Sequence, residues 1–238
     1  MTAPYSLELV EKCTNCAWKA AGFFCNLPVP VLKSFEAVKY TSSYPANAVL
    51  FVQGQVPRGV YLLCKGRAKL TMTSAEGKSV ILRIVEPGEL MGVNAAFSGK
   101  PYELTAETLE PCQMNFIPRD AFMQLVRKHN EVSVNVNEQL SSAYSAACLQ
   151  IRSLGLSRTA SEKVAGFLLE WASKGKETSQ GVRMNLPLTH EEIAQILGVS
   201  RETVTRALTE LKSKSLITMK GPTVVIRDKS GLEALAAA

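Results

Sequence analysis

Residues 186–217 read LPLTHEEIAQILGVSRETVTRALTELKSKSLI and carry the strongest structural signal in the chain. Thr189 is followed three residues later by Glu192, which is the spacing of a capping box at a helix N-terminus. Gly198 comes directly after the apolar face of this helix, where a left-handed glycine lets the chain turn sharply. Ser200 can cap a second helix that has its own apolar stripe. Two short capped helices joined at a glycine predict a helix-turn-helix.

The outward face of the second predicted helix carries side chains suited to reading DNA. Arginine can donate two hydrogen bonds to guanine and glutamate can accept one from cytosine, so Arg201, Glu202 and Arg206 suit base edges in a major groove. Ser200 and Thr203, at the helix N-terminus, suit phosphate contacts. The alternative is a set of solvated charges on a surface helix, but the cap, the turn glycine and the buried stripe occur together with them. The predicted DNA contacts are Thr189, Ser200, Arg201, Glu202, Thr203, Thr205, Arg206 and Lys220.

The residues around this motif predict a β-wing after it and a helix before it. The stretch LITMKGPTVVIRD, residues 216–228, has the pattern of two strands around Gly221 and Pro222. Lys220 lies near the tip, where a phosphate contact and a solvated lysine are both open readings. Residues 159–173 have the spacing of an amphipathic helix, and SKGKETSQGVRMN, which follows, is predicted to be a polar loop.

The first half of the chain predicts an antiparallel β-roll. Between about Ala37 and Ile117, segments such as YPANAVLFVQG, GVYLLCKGRAKLTMT and KSVILRIVEPGELMG cluster or alternate apolar residues and stop at Gly, Pro or Asn. The AEGK stretch at residues 75–78 predicts a hairpin turn. Many short strands at this spacing are typical of a sandwich or roll. A helix at about residues 119–126 is predicted to close the domain.

A long helix is predicted from about Asn130 to Ser153. Its apolar residues recur every three or four positions in one narrow seam. A long seam with small residues favours contact with the same helix of a second copy, and the alternative is a helix packed on its own domain. Leu154, Gly155 and Leu156 predict a break and a hinge. The predicted dimerisation residues are Val132, Val136, Leu140, Ala143, Ala147, Ile151 and Leu154.

These segments together predict an α+β chain: an N-terminal antiparallel β-roll of jelly-roll type, a long dimerisation helix and a C-terminal winged helix-turn-helix. The predicted domains are a cysteine-containing segment (1–28), a β-roll sensor domain (29–127), the dimerisation helix (128–155) and the DNA-binding domain (156–238). The sequence contains no phosphate-binding loop, hydrolase nucleophile elbow or zinc-protease motif. An enzyme is therefore not predicted and no catalytic residue is assigned. A ligand-binding roll with no DNA role is the alternative.

The composition fits a folded protein that has an anionic partner. Of the 238 residues, 46% are hydrophobic and 20% are charged, and the formal net charge is +6. This charge permits DNA binding without establishing it. No apolar run approaches the roughly 18–20 residues of a membrane span, and the N-terminus, MTAPYSLELVEKC, lacks the pattern of a signal peptide. We expect a cytoplasmic protein that contacts no membrane.

Three stretches resemble the CRP/FNR family of bacterial transcription regulators. GVSRETVTRALTELKSKSLI resembles the recognition helix of that family, LFVQGQVPRGVYLLCKGRAKL resembles its β-roll, and GELMG with AAFSGKPYELTAETLEPC resembles its effector pocket. The resemblance implies a homodimer whose recognition helices enter successive major grooves about 34 Å apart on a near-palindromic site. It implies RNA polymerase as a partner. It also implies that Arg201, Glu202 and Arg206 read bases, with a TGTGA-type half-site favoured over a TTGAT type.

The resemblance also bears on the signal. Cyclic-nucleotide members of the family use a glutamate after the pocket glycine and an Arg-Ser pair that clamps the cyclic phosphate. Here the first stretch reads Gly92-Val93-Asn94, and the pair falls on Tyr102 and Glu103. A carboxylate at that position repels a phosphate. Tight binding of cyclic AMP is therefore not expected.

Three of the six cysteines lie in the first 25 residues. The stretch CTNCAWKAAGFFC, residues 13–25, resembles the N-terminal cysteines of oxygen-sensing FNR members, which hold a four-iron cluster together with one cysteine of the roll. The resemblance implies a 4Fe-4S cluster with Cys13, Cys16, Cys25 and Cys112 as its ligands. A zinc site, a thiol switch and no role at all are the alternatives.

Cys112 departs from the family pattern. It falls three residues before the expected position, which Asn115 occupies. Three residues along a strand span about 10 Å and reverse the face, so an intact site requires a local shift or bulge. Cys64 and Cys148 lie within apolar patterns and are predicted to be packing residues. The two histidines, His129 and His190, are too isolated to predict a metal site.

Overall fold

The computed structural model describes residues 5, 7, 10, 12–16, 25–155, 159–173 and 175–237. The chain divides into two compact units, Met1–Ala147 and Cys148–Ala238. Several sequence predictions fall outside the described residues: the hinge residue Leu156, the side chain of Leu154, residues 17–24 of the cysteine-containing segment, and residue 174 of the predicted loop.

The first unit is built on two antiparallel sheets, which confirms the predicted β-roll. Within the described residues its strands are β1 (Tyr40–Tyr44), β2 (Val49–Phe51), β3 (Gly59–Lys65), β4 (Ala68–Thr73), β5 (Ser79–Val85), β6 (Leu90–Met91), β7 (Thr105–Thr108) and β8 (Cys112–Pro118). One sheet has the strand order β1-β8-β3-β6 and the other has the order β2-β7-β4-β5. The hairpin turn predicted between β4 and β5 is present, with Gly77 at a φ of 81°.

The strands of the first sheet are covered on both faces by apolar cores. Successive side chains of a strand point to opposite faces. Leu62 of β3 accordingly packs in one core with Ile117 of β8, whereas Leu63 packs in a second core with Met114 of β8. All four side chains are buried. Burial on both faces explains why β3 has an almost continuous apolar sequence.

Among the described residues, the first unit has a short 3-10 helix (Cys13–Asn15) and the α-helices α1 (Val29–Glu36), α2 (Val93–Ser98), α3 (Arg119–Lys128) and the first part of α4 (Asn130–Gly155). The helix predicted at residues 119–126 is confirmed as α3. The predicted long helix is confirmed as α4, whose described part ends at Gly155, within the residues of the predicted break.

The first turns of α4 lie in the core of the first unit. Val132 and Val136 are only 1% and 2% exposed, and they belong to the same apolar core as Phe35 and Phe122. The prediction that these two valines face a second copy is therefore wrong. The chain turns at His129, between α3 and α4, and this turn directs the start of α4 onto its own domain.

A buried glutamine attaches α4 to the edge strand β6. The Gln139 side chain accepts a hydrogen bond from the backbone N–H of Leu90 and donates one to the carbonyl of Leu90, both at 2.8 Å. The amide takes the place of a neighbouring strand and satisfies both backbone groups. Further along α4 the surface is open, since Tyr144 and Ile151 are 74% and 69% exposed.

The second unit contains the predicted winged helix-turn-helix. After α4 its described elements are α5 (Ala160–Ala172), β9 (Lys176–Thr178), β10 (Gly181–Asn185), α6 (His190–Leu197), α7 (Arg201–Ser213), β11 (Ile217–Lys220), β12 (Thr223–Ile226) and α8 (Lys229–Ala237). The strands form a sheet in the order β11-β12-β10-β9. The helix predicted at residues 159–173 is confirmed as α5, and Thr159 and Glu162 form a capping box at its start.

The prediction of a polar loop at residues 173–185 is wrong, because most of this segment forms the hairpin of β9 and β10. Strand β10 pairs with the distant strand β12, with Val182 opposite Ile226. Met184 is its one buried residue. A strand with a single buried side chain shows little alternation in sequence, and its identity depends on a partner far along the chain.

Candidate nucleic-acid interface and sensor site

The first helix of the motif, α6, is fixed at both ends as the sequence predicts. The Thr189 hydroxyl accepts a hydrogen bond from the backbone N–H of Glu192 at 3.2 Å, and the Glu192 carboxylate accepts one from the backbone N–H of Thr189 at 2.9 Å. The helix ends at Gly198, which has a left-handed φ of 64°. These contacts satisfy the free backbone groups of the helix end and set the direction of the turn.

The second helix, α7, has one buried face and one exposed face. Ser200 caps it by accepting a hydrogen bond from the backbone N–H of Thr203 at 3.2 Å. Its buried residues are Val204, Ala207, Leu208 and Leu211. Arg201, Glu202, Thr205 and Arg206, the side chains predicted to read bases, are all exposed on the opposite side.

The charges on the exposed face of α7 interact with one another. The pKa of Glu202 is lowered, because its carboxylate accepts hydrogen bonds from its own backbone N–H and from the Ser200 hydroxyl, and because Arg201 and Arg206 lie nearby. Glu202 is therefore ionised at neutral pH and serves as a hydrogen-bond acceptor only. The surface thus offers two guanidinium donors and one carboxylate acceptor, which is the donor and acceptor set for G·C pairs.

Three further contacts, which the sequence analysis did not identify, hold α6 and α7 in position. His190, the first residue of α6, has its Nδ1 atom 2.9 Å from the hydroxyl oxygen of Thr205 on α7. Gln150 of α4 donates from Nε2 to the carbonyl of Ile196 at 2.7 Å. Ser161 of α5 donates to the Glu210 carboxylate of α7 at 2.5 Å. The only signal for any of them in the sequence was a polar residue on a helix surface, so spacing alone could not reveal them.

The wing predicted after α7 is present as the hairpin of β11 and β12. Met219 pairs with Val224 and Lys220 pairs with Thr223, so Gly221 and Pro222 form the tip. Gly221 has a positive φ of 57°, which favours glycine. Lys220 is exposed beside the tip, where the sequence places it.

A cavity of about 190 Å³ lies between the roll and α4 within the first unit. Tyr102 and Glu103, the residues at the family's phosphate-clamp position, both line it. Tyr102 donates its hydroxyl to the carbonyl of Gly59 at 2.7 Å, and Glu103 accepts a hydrogen bond from Asn94. The remaining lining residues are Phe51, Leu70, Leu82, Arg83, Leu90, Met91, Gly92, Val93, Asn94, Leu104, Gln139, Leu140, Ala143, Ala146 and Ala147.

The charges around this cavity do not suit a cyclic phosphate. The Arg83 guanidinium forms an ion pair with Glu89 at 2.8 Å, so its charge is already compensated. Glu103, which the family resemblance aligns with the phosphate clamp, adds a carboxylate to the lining of the cavity. A phosphate there would have to approach an anion, with the cavity's arginine already paired.

A second, smaller cavity of about 30 Å³ brings four cysteines together. Cys13, Cys16, Cys25 and Cys64 all line it. Cys64 is one of the two cysteines that the sequence analysis predicted to be packing residues, and it extends from β3 into this space. Among the described residues, no three histidine, cysteine, aspartate or glutamate side chains are arranged to hold a metal ion. The thiols therefore share a cavity without forming a preassembled ligand shell.

Cys112 lies elsewhere, and its prediction as the fourth ligand is wrong. Its thiol donates to the carbonyl of Glu110 at 3.1 Å and lies 3.3 Å from the carbonyl of Arg67, in the core on the other face of the sheet. Alternation along β8 directs Cys112 and Met114 to that face and Asn115 to the cysteine cavity. The bulge that a complete site requires occurs in β3, between Leu63 and Lys65, and not at Cys112.

Burial raises the pKa of three of the four thiols in the small cavity and so favours their protonated form. It raises the pKa of Cys25 to about 11 and also raises that of Cys64, with the neighbouring cysteines as a smaller cause in both. For Cys13 burial again raises the pKa, although Lys39 opposes the shift. Buried thiols of raised pKa are poor nucleophiles but remain ligands for metals that displace their protons.

Two family models match the chain, one in each unit. The cyclic nucleotide-binding domain matches residues 41–129, and the Crp-like helix-turn-helix domain matches residues 162–235. Among the described residues, no helix is both long enough and apolar enough to cross a membrane.

Proteins similar to this one over nearly the whole chain are transcription regulators. Transcriptional activatory protein AadR of Rhodopseudomonas palustris is 28% identical over 227 residues, covering 94% of this chain and 93% of that protein. Nitrogen fixation regulation protein FixK of Bradyrhizobium diazoefficiens is 28% identical over 238 residues, covering 95% and 94%. The cAMP-activated global transcriptional regulator CRP of Pasteurella multocida is 26% identical over 198 residues, covering 83% and 94%.

The fold has solved relatives as well. The structure of FixK2 from Bradyrhizobium japonicum matches with a TM-score of 0.74 and 25% identity, and it covers 84% of this chain and 98% of that one. Three observations point to the same family. They are the order of roll, long helix and helix-turn-helix, the two matching domain models, and the relatives that match over most of their length. The chain belongs to the CRP/FNR family of transcription regulators and carries its helix-turn-helix DNA-binding domain.

Proposed function

We propose that this protein is a homodimeric regulator that binds a near-palindromic DNA site and reads its bases with α7. The observation that carries the proposal is the division of α7 into two faces. Val204 and Leu208 are buried, which fixes the helix, and Arg201 and Arg206 are exposed on the other side. A recognition helix held in this way can project its N-terminal side chains into a major groove.

The side chains of this surface divide into base contacts and phosphate contacts. Arg201 and Arg206 donate to guanine, and Glu202 accepts from cytosine, which favours a TGTGA-type half-site. The phosphate contacts are assigned to the two helix N-termini and the wing. They are Thr189, Ser200, Thr203 and Lys220.

A second copy joins through the later turns of α4. Tyr144 and Ile151 are large apolar side chains that are mostly exposed in one chain, and Ala147 lies exposed between them. Exposed apolar side chains at helical spacing are typical of a helix that pairs with a partner. The proposed contact keeps the later part of the predicted seam, namely Leu140, Ala143, Ala147, Ile151 and Leu154, and adds Tyr144. It sets the two recognition helices about 34 Å apart.

The proposed signal is oxygen or a redox change, sensed through an iron-sulfur cluster in the N-terminal region. Thiolates are the ligands such clusters require, and the four thiols of the small cavity supply them. When bound, the cluster supplies sensitivity to oxidants. Several relatives are cAMP-activated by name, but the Glu103 carboxylate and the Arg83–Glu89 pair do not favour cyclic AMP here.

The signal is transmitted along α4 in this proposal. The Gln139 amide connects α4 to Leu90, at the wall of the larger cavity, and the same helix continues to Gln150, which binds α6. A change in the sensor domain that moves α4 alters the spacing of the recognition helices and so the affinity for DNA. RNA polymerase is the proposed partner at promoters, in the cytoplasm.

DNA binding by the purified chain tests the proposal. We expect a gel shift or fluorescence anisotropy change with a duplex that holds two TGTGA-type half-sites one helical turn apart. The affinity must fall steeply as salt increases, because phosphate contacts release counterions. A chain that binds no duplex under any redox condition would be a ligand-binding roll without a DNA role. Duplex binding that is unchanged in an Arg201→Ala/Arg206→Ala variant would overturn α7 as the helix that reads the bases.

A further inference from the structure

We propose that Cys64, from the bulge of β3, is the fourth thiolate of the N-terminal cluster site, and that Asn115 supports it through its side-chain amide. The inference rests on the proposed function, since it takes the iron-sulfur cluster as the occupant. It assigns the ligands Cys13, Cys16, Cys25 and Cys64. The chemistry fits, because all four donors are cysteine sulfurs that line one cavity.

The bulge in β3 explains how Cys64 reaches this cavity. Leu63 pairs with Met114 and Lys65 pairs with Gln113, so Cys64 is the extra residue between two regular pairs. A bulge adds one residue to a strand and changes the direction of a side chain, and such bulges are common beside functional sites. Lys65, the residue after the bulge, lines the same cavity.

Asn115 orients its amide toward the sulfurs. Its Nδ2 atom donates to Cys64 Sγ at 3.1 Å and lies 3.8 Å from Cys13 Sγ. Its Oδ1 atom accepts hydrogen bonds from Lys39 at 3.1 Å and from Thr41 at 2.7 Å. Because the oxygen is held by two donors, the NH₂ group must face the cysteines. Amide donors to ligand sulfurs stabilise the thiolate and tune the potential of a cluster.

The segment that carries Cys13 and Cys16 is held against the roll at two points. Gln113 of β8 donates to the carbonyl of Val10 at 2.7 Å and accepts from its N–H at 3.0 Å. Glu36 of α1 accepts from the backbone N–H of Thr14 at 2.8 Å and from its hydroxyl at 3.1 Å. These contacts flank Cys13 and bring it beside Cys64 and Asn115. The site is therefore built from the N-terminal segment and β3, with β8 contributing amides and no sulfur.

Reconstitution of the full chain under anaerobic conditions tests the assignment. The protein is loaded with ferrous iron and sulfide, and iron, acid-labile sulfide and visible absorption are measured per chain. Cys64→Ser is expected to lose iron and sulfide to the same degree as Cys13→Ser. Cys112→Ser is the matched control, because Cys112 is an equally unpaired and buried roll cysteine that faces the other core. It is expected to retain both. Circular dichroism and thermal melting show whether each variant folds, and Cys64→Ala gives a second test at the same position.

Asn115→Leu tests the supporting role separately. We expect this variant to keep a cluster but to bind it about 10–100-fold more weakly, as is typical for loss of a group that hydrogen-bonds a metal ligand. We also expect a lower reduction potential, because an amide donor to a ligand sulfur favours the reduced cluster. An unchanged potential and unchanged affinity would remove Asn115 from the assignment.

The outcomes distinguish this inference from the proposed function. Loss of the cluster in Cys112→Ser with retention in Cys64→Ser overturns the ligand assignment and leaves a cluster-based sensor in place. A wild-type chain that takes up neither iron nor sulfide overturns the ligand assignment and the iron-sulfur sensor together, and leaves the proposed DNA binding to its own duplex-binding test. A chain that binds zinc and no sulfide would show that the site holds a zinc ion and not an iron-sulfur cluster. The proposed DNA binding does not depend on that result and is tested separately.

Discussion

The Nδ1 atom of His190 lies 2.9 Å from the hydroxyl oxygen of Thr205, and the same hydroxyl donates to the carbonyl of Arg201 at 3.0 Å. The polar group of Thr205 is thus used inside the protein, between α6 and its own helix. What the exposed Thr205 side chain offers to DNA is its methyl group. A threonine methyl suits the C5-methyl group of thymine in the major groove.

This geometry predicts a specific effect of Thr205→Ser, which keeps the hydroxyl and removes the methyl. We expect an affinity loss of about 0.8 kcal/mol, roughly fourfold, since one methyl-sized contact is lost. The loss should appear only on sites with thymine at one position of each half-site. Anisotropy titrations against a set of single-base variants measure it, with Thr205→Val as the control that keeps the methyl. Equal losses on every sequence would contradict a thymine contact.

The two exposed arginines predict a loss of sequence discrimination. Arg206→Ala and Arg201→Ala should each weaken binding to the preferred site by about 1–3 kcal/mol, because a bidentate contact to guanine is removed. Binding to non-specific duplex should change much less. Parallel titrations with specific and random DNA report the ratio, and a uniform loss on both would assign the arginine to the backbone instead.

For Lys220 we predict a loss of affinity without a loss of sequence discrimination. It is exposed beside the tip of the wing and suits a phosphate contact. Lys220→Ala should weaken binding evenly across sequences and reduce the slope of log K against log salt by about 1 per protomer. The measurement is a salt series on wild type and variant. Lys229→Ala, at an exposed lysine that pairs with Glu233, serves as the control.

Gln139 predicts a stability effect that its exposed neighbour does not share. Gln139→Leu removes the partners of both Leu90 backbone groups and leaves them buried, at a cost of about 1–3 kcal/mol for each unsatisfied group. Denaturant unfolding followed by circular dichroism measures the free energy of unfolding. Glu138→Ala, on the exposed side of the same turn, should change it by less than about 0.5 kcal/mol.

Substitutions at the two ends of α4 should affect different properties, namely the stability of the chain at the first end and dimer association at the second. Val136→Ala should lower the free energy of unfolding by about 1–3 kcal/mol, because it opens space in the core of the first unit. Ile151→Asp should leave the unfolding of the chain almost unchanged and weaken association, because Ile151 is 69% exposed. Analytical ultracentrifugation over a concentration series measures the dimer dissociation constant. A normal dimer in Ile151→Asp would place the contact elsewhere.

The sequence predicts well those features that are local. The capping box at Thr189 and the turn at Gly198 are both present in the structure. Each of these two features depends on residues that lie within four positions of one another along the chain. The wing around Gly221 is equally local. Each depends on backbone chemistry that neighbouring side chains determine.

The features that the sequence misses depend on contacts between distant segments. Cys64 and Asn115 lie 51 positions apart, yet they meet because β3 and β8 are adjacent and β3 contains a bulge. The burial of Val132 depends on a turn at His129 and on helices that precede it. The apolar seam of α4 showed correctly which face is apolar, but not which surface covers each part of it.

The amide pair between Gln139 and Leu90 has a further consequence for how a long helix can move. A helix that rests on apolar side chains alone tolerates small displacements at little energetic cost, since such contacts have no preferred direction. Two hydrogen bonds to a single backbone unit lose their geometry together when the helix slides by a fraction of one turn. The roll therefore admits α4 at one axial position, and any departure from it is all-or-none.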